Sequence, residues 1–203
     1  MTNRVATAAD LDGLTATLTA AFAEDPLWSW AFPERQDLAA WWRFCINSAL
    51  RYPSTWTMED YAAAALWIPP GGTELTEGEE ARVEPMISRL AGSRASSIME
   101  LLQRFDASHP NDEPHYYLSL LGVHPDHRGK GLGMALLADN LAGMDAEGIP
   151  SYLESSNQSN NSRYERLGYV QVGEFSTPDG ARTVATMWRE VPAEARASAG
   201  LRE

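Results

Sequence analysis

The segment from His115 to Gly133 constrains the fold of this 203-residue chain more than any other. His115–Val123 reads HYYLSLLGV, with aromatic and aliphatic residues throughout, which predicts a strand. A turn through Pro125 follows. Glycines then stand at 129, 131 and 133, and a helix runs from about Gly131 to Glu147. Leu137, Leu141 and Met144 mark its buried face and Gly148 stops it. The first turn of a helix leaves N–H groups unpaired, and its dipole favours negative charge. Glycine lets a ligand come close to that backbone. A strand feeding such a helix through glycine therefore predicts a pyrophosphate cradle, although tight strand–helix packing alone would ask for the same glycines.

Two familiar phosphate-binding patterns fail here. A P-loop needs Gly-x-x-x-x-Gly-Lys followed by Ser or Thr, yet Lys130 is followed by Gly131 and the position five before Gly129 is His124. A dinucleotide fingerprint needs Gly-x-Gly-x-x-Gly, and the spacing here is Gly-x-Gly-x-Gly.

The rest of the chain reads as a mixture of helices and strands. Thr7 and Asp10 open a helix carrying Leu11, Leu14, Leu18 and Phe22, which Asp25-Pro26 ends. A second helix spans about Asp37 to Leu50. Strands follow at Thr55–Glu59 and Ala62–Ile68, then a Pro-Gly loop, then a helical stretch from Glu77 to Phe105 broken near Gly92. After the glycine-rich helix come a strand at Ser151–Ser155, a helix at Asn160–Leu167, and a hairpin of Tyr169–Phe175 with Thr183–Glu190 around Pro178-Asp179-Gly180. Strands and helices alternate only in part, so a mixed sheet is expected rather than a fully parallel one. No linker divides the chain: residues 1–191 are expected to form a single domain and 192–203 a mobile tail.

Net charge is −12, which disfavours nucleic acid and places any anion site on local backbone rather than on a basic surface. Cys45 is the lone cysteine, so a reducing compartment is the natural reading. With neither a signal-like start nor a long apolar run, the expectation is a soluble cytoplasmic protein without a membrane partner. His124 and His127 lack ligands at fitting spacing, so no metal is expected.

Arg128-x-x-Gly131-x-Gly133 after a strand resembles the Arg/Gln-x-x-Gly-x-Gly/Ala signature of the GNAT superfamily of N-acyltransferases. Downstream, Tyr152-Leu153-Glu154 leads through Asn157 and Asn160 to Tyr164-Glu165-Arg166-Leu167-Gly168-Tyr169, which resembles the second hallmark of that family. With Ala21-Phe22-Ala23-Glu24-Asp25-Pro26, the Gly122-Val123-x-Pro125-Asp126-His127 turn and Leu153-Glu154-x-Ser156, the pattern is similar to the puromycin N-acetyltransferase subgroup. The resemblance implies an α/β GNAT fold, with a mixed, splayed sheet flanked by helices. It also implies transfer of acetyl from acetyl-CoA to a primary amine by direct attack.

By the same resemblance, the backbone of Arg128, Gly129, Lys130, Gly131, Leu132 and Gly133 holds the pyrophosphate, and Leu121 and Val123 pair with the pantetheine arm. The Val123 N–H would face the thioester carbonyl. Asn157 and Asn160 would bond the cofactor, with Asn160 as a helix cap the alternative. Tyr164 is the candidate general acid, since a phenol stays protonated at neutral pH; packing on the sheet is its other reading. Glu154 would take up or bind the ammonium, or be an ordinary strand carboxylate. His124 is a rival base, although its place before Pro125 suits a turn.

Six of the seven tryptophans lie in the first third of the chain. Trp28, Trp30 and Phe32 would line the acceptor site, with core packing the alternative; Trp67 reads as core, and Cys45 reads as remote from both signatures. The acceptor is expected to be a small-molecule amine. A protein or peptide acceptor, a longer acyl chain and a non-catalytic acyl-CoA sensor are the rivals. Oligomeric state is left open, a homodimer included.

Overall fold

Glycine and proline cut the chain into elements close to those expected. The computed structural model describes residues 2–198. A short strand β1 (Asn3–Val5) precedes the helices α1 (Leu11–Phe22), α2 (Trp28–Ala31) and α3 (Arg35–Ala49). Next come β2 (Thr55–Met58) and β3 (Ala63–Ile68), then α4 (Glu77–Glu80), α5 (Val83–Ala91) and α6 (Ala95–Ser108). The C-terminal half holds β4 (Tyr116–Val123), α7 (Leu132–Glu147), β5 (Ser151–Ser155), α8 (Asn161–Glu165), β6 (Val170–Ser176), β7 (Thr183–Arg189) and α9 (Ala193–Ser198). Part of the expected tail is therefore helical, and residues 199–203 lie outside the described residues. Strand β1 and helix α2 were not anticipated; they are too short to show a period. Among the described residues no helix is long and apolar enough to cross a membrane.

The strands form one sheet in the order β1-β2-β3-β4-β5-β7-β6. Every pairing is antiparallel except β4 with β5, so the sheet is mixed. Leu14 and Leu18 of α1, Trp41 and Trp42 of α3, and Ile87, Ile98 and Leu101 of α5 and α6 form a core on one face. Leu136, Leu137, Leu141 and Met144 of α7 form the other, against Trp67 and Leu153. Trp67 is fully buried and its indole N–H donates to Asn140 Oδ1 at 3.0 Å. Burying a residue of this size contributes on the order of 2–3 kcal/mol only if its polar atom keeps a partner, and here it does.

One irregularity shapes the site. β3 pairs Leu66 with Leu120 but Trp67 with Leu118, so Ser119 is an extra residue on β4. Such a bulge bends its strand and sharpens the local twist. Pairing of β4 with β5 runs only from Tyr116↔Ser151 to Leu118↔Leu153, although both strands continue. From the bulge onward the two strands part, and a cleft opens between them.

Candidate active site

The His124 N–H donates to Ala62 O at 3.0 Å, toward β3. Successive residues of a strand direct their N–H and C=O groups to opposite edges. The polar backbone groups of Val123 and Leu121 thus face the open edge beside β5, where no strand covers them. At the end of that edge lies the glycine-rich turn. The Arg128 N–H bonds Pro125 O at 3.2 Å and the Ala135 N–H bonds Gly131 O at 3.0 Å. Between them, the N–H groups from Gly129 to Met134 reach no carbonyl of the described residues.

Gly129 and Gly131 stand at φ of 80° and 73°, conformations that side chains disfavour. Gly133 is required for a different reason: a Cβ there would lie 2.9 Å from Val123 Cγ2, so the helix start could not approach β4. The Arg128 guanidinium turns away and donates to Ala21 O at 2.9 Å, tying the turn to the end of α1. Lys130 is exposed. Unpaired donors at a helix start, glycine where side chains would intrude, and an open strand edge together fit a long ligand ending in a pyrophosphate.

A cavity of about 920 Å³ continues from this edge into the protein. Tyr164, Glu154, Asn157 and Asn160 all line it, as do Leu121 and Trp28. Burial, then the charge of Asp25, pushes the Tyr164 phenol up to about 12, so it is protonated at neutral pH. The Glu154 side chain is only 2% exposed, and neither of its carboxylate oxygens accepts a hydrogen bond. Burial and then the Glu154 charge raise the phenols of Tyr117 and Tyr152 well above their ordinary range, so both stay protonated beside the carboxylate. Asn157 accepts from the Ser159 N–H at 3.1 Å, and Asn160 accepts from Arg163 at 3.1 Å without capping α8.

Two histidines that sequence reasoning missed extend the site. His115 Nδ1 lies 2.7 Å from Glu113 O, and a carbonyl only accepts, so Nδ1 carries the proton. Burial lowers the His115 pKa and outweighs that bond, so the ring is neutral and its Nε2 accepts from His109 Nε2 at 3.2 Å. His109 Nδ1 lies 3.9 Å from Glu154 Oε1. Asp25 was missed as well. It is buried, which raises its pKa, and its Oδ1 accepts from the N–H groups of Leu27 (3.0 Å) and Trp28 (3.1 Å). Ser156 donates to its Oδ2 at 2.8 Å, so this carboxylate ties α2 to the end of β5.

Two expectations need correction, and His124 keeps its turn reading. Phe32 is buried against Trp41, and Trp30 lies beneath the Arg182 guanidinium, so of the three aromatic candidates only Trp28 lines the cavity. Cys45, far from both signatures in sequence, lines the same cavity; burial, then Glu74 and Glu79, raises its thiol well above the ordinary range, which keeps it protonated and inert. His124 lies outside the cavity and accepts from the Asp126 N–H at 3.4 Å, a turn role. The tryptophans Trp28 and Trp42 meet edge to face at 4.6 Å, so one wall of the cavity is also core.

Residues 100–171 match the family described as acetyltransferase (GNAT) domain. An uncharacterized N-acetyltransferase of Schizosaccharomyces pombe is 28% identical over 148 residues, covering 68% of this chain and 60% of that protein. The chain spans less still of the mycothiol acetyltransferase of Streptomyces coelicolor: 18% of its length and 25% of this chain, at 39% identity over 54 residues. Among solved structures, a protein described as histone acetyltransferase HPA2 and related acetyltransferase from Corynebacterium glutamicum superposes with TM-score 0.69 at 23% identity, over 94% of this chain and 96% of its own. Polyamine N-acetyltransferase of Drosophila melanogaster, described as catalysing formation of N-acetylagmatine, gives 0.67 at 17% identity, over 93% and 99%. Arylalkylamine N-acetyltransferase 2 of Aedes aegypti gives 0.67 at 16%, over 94% and 99%. The fold is the GNAT fold.

Proposed function

We propose that this chain, which carries the GNAT fold, is an acetyl-CoA-dependent N-acetyltransferase acting on a primary amine of a small molecule. The observation that carries the reading is one cleft in which an open strand edge and a row of unpaired N–H groups meet a buried carboxylate, Glu154, and a protonated phenol, Tyr164. The family match over residues 100–171 supports it, as do a relative named as an N-acetyltransferase and fold neighbours named for acetyl transfer to agmatine and arylalkylamines. The likeness to the puromycin-type subgroup rests on sequence motifs alone and does not choose the acceptor.

Acetyl-CoA, when bound, supplies an acetyl group activated as a thioester. Backbone N–H groups from Gly129 to Gly133 hold its pyrophosphate, the Arg128 N–H being taken by Pro125 O, and the open groups of Leu121 and Val123 pair with the pantetheine arm as another strand would. Asn157 and Asn160 bond the cofactor beside that arm. An alkylamine has a pKa of about 10 and arrives charged, so it must lose a proton before it attacks. Glu154 takes that proton, with His109 Nδ1 3.9 Å from its Oε1. The Val123 N–H donates to the carbonyl oxygen as negative charge develops there, a contribution of ~3 kcal/mol by analogy with other oxyanion donors. The Tyr164 hydroxyl donates to the departing sulfur.

Thiol release with acetyl-CoA and a panel of small amines tests the activity. Thermal shift tests the cradle: acetyl-CoA at a hundredfold excess over its dissociation constant should stabilise by about 2.7 kcal/mol, and ATP and NAD should not. Tight acetyl-CoA binding with no acceptor turned over would favour the sensor reading, and equal stabilisation by ATP would remove the basis of the cofactor assignment.

A further inference from the structure

The cavity is more acidic than a single ammonium requires. Glu74, Asp106 and Glu154 all line it. Among the described residues no lysine or arginine pairs with any of the three. Arg51 is close in the chain to Glu74, but its guanidinium donates to the carbonyls of Ser48, Thr73 and Glu74, which fixes the loop and leaves the Glu74 carboxylate without a cation. That carboxylate instead accepts from Ser119, the bulge residue, at 2.5 Å. Glu154 is buried with both oxygens unpartnered, an arrangement a protein retains at a cost in stability.

We propose, resting on the acetyl-transfer reading above, that the acceptor is a diamine, whose reacting nitrogen faces Glu154 and whose second cationic group sits against Glu74, Ser119 and Asp106. A monoamine would neutralise one carboxylate and leave the others facing a low-dielectric wall of Trp28, Trp42 and Phe105. The same wall suits a methylene chain joining two charges. Ser119 follows Leu118, and Glu154 follows Leu153, the last paired residues of the parting strands, so the two positions flank the cleft at its narrow end. Glu74 lines the cleft and meets its solvent while protein crowds it; this loss of bulk water, followed by the charges of Glu154 and Asp106, pushes its carboxyl up to about 7, and Ser119 and His109 act against the rise. Burial likewise raises Asp106, against the opposing effect of His109. In both, the loss of water around the carboxyl outweighs His109.

The test compares kcat/KM for straight-chain α,ω-diamines with that for monoamines of equal length. A hydrogen-bonded charge pair of this kind should favour the diamine by about tenfold or more. Glu74→Gln and Ser119→Ala should each lower the diamine-to-monoamine ratio, a readout that a merely structural role would not move. Equal kcat/KM for the two classes, or a preference for an arylalkyl monoamine, overturns this inference and leaves acetyl transfer standing. Transfer to no amine at all overturns the acetyl-transfer reading, and thermal shift then decides the acceptor question by itself. A larger rise in Tm with the diamine, lost in Glu74→Gln, supports the second cation site; equal rises refute it.

Discussion

Replacing Tyr164 with Phe removes one hydroxyl from the cleft and keeps the ring. That ring meets Tyr169 at 6.1 Å with planes inclined at 71°, and the hydroxyl bonds nothing in the described protein. Folding should therefore change little, with Tm within about 2 °C of the parent. Catalysis should change more. Burial, with Asp25, pushes the phenol up to about 12, whereas a simple thiol titrates near ~8.5. Complete proton transfer from one to the other is uphill by roughly 5 kcal/mol. The hydroxyl thus acts chiefly as a donor to sulfur while the carbon–sulfur bond breaks. A hydrogen bond to a charged group is worth about 1.5–3 kcal/mol, so kcat should fall about 10- to 150-fold. Steady-state thiol release measures this, beside the Tm rise with acetyl-CoA, which should stay as in the parent. Because the phenol keeps its proton to high pH, the wild type should show no alkaline loss of rate from Tyr164 below about pH 10. A variant within twofold of the parent, or an alkaline limb near pH 8 that disappears with the hydroxyl, refutes the assignment.

Glu154→Gln should lower kcat/KM at neutral pH by about a hundredfold or more. The same change should leave Tm unchanged or higher, because it removes a buried charge that has no partner; a fall of several degrees in calorimetry would mean that the carboxylate holds the fold. Gly122→Ala puts a Cβ 2.7 Å from Leu18 Cδ2 and 2.9 Å from Ala21 Cβ. Such overpacking between α1 and β4 should cost about 1–3 kcal/mol in denaturant unfolding, and an unchanged midpoint would contradict the close approach. Glu74 titrates near 7 in the folded protein against 4.5 ordinarily, so between those values the folded state binds more protons than the unfolded one. Its contribution to stability therefore falls as pH rises from about 4.5 to 7. Tm of the unliganded protein, followed across that range, should decline less in Glu74→Gln, and parallel curves would refute the shift.

The elements that carry the cofactor side were legible because local chemistry dictates them. A glycine at positive φ, a helix start and an aliphatic strand announce themselves within a few residues, and Tyr164, Asn157 and Glu154 follow in one short segment. The rest of the cavity was not legible, because it is assembled across the chain. Glu74 comes from a loop after β3, Asp106 and His109 from the end of α6, and Cys45 from the middle of α3. No spacing links them. One signal was present: Ser119 is a small polar residue between Leu118 and Leu120 in the strand, and a polar residue there asks for a partner. Trp30 and Phe32 misled because an aromatic pair beside a proline turn looks the same whether it meets a ligand or the core.

The bulge at Ser119 also sets which side of the sheet each later residue belongs to. Ser119 and Leu120 both face the α1 side, which returns Leu121 and Val123 to the α7 side and Gly122 to the helix that needs it small. Running all eight residues in regular alternation, with Ser119 kept and the bulge lost, would invert the remainder of the strand: two aliphatic side chains would be driven into α1, and the backbone donors of the open edge would turn toward a neighbour that already has its bonds. The bulge thus sets the frame of side-chain direction, and its loss would do most damage at the strand's far end, next to the glycine turn.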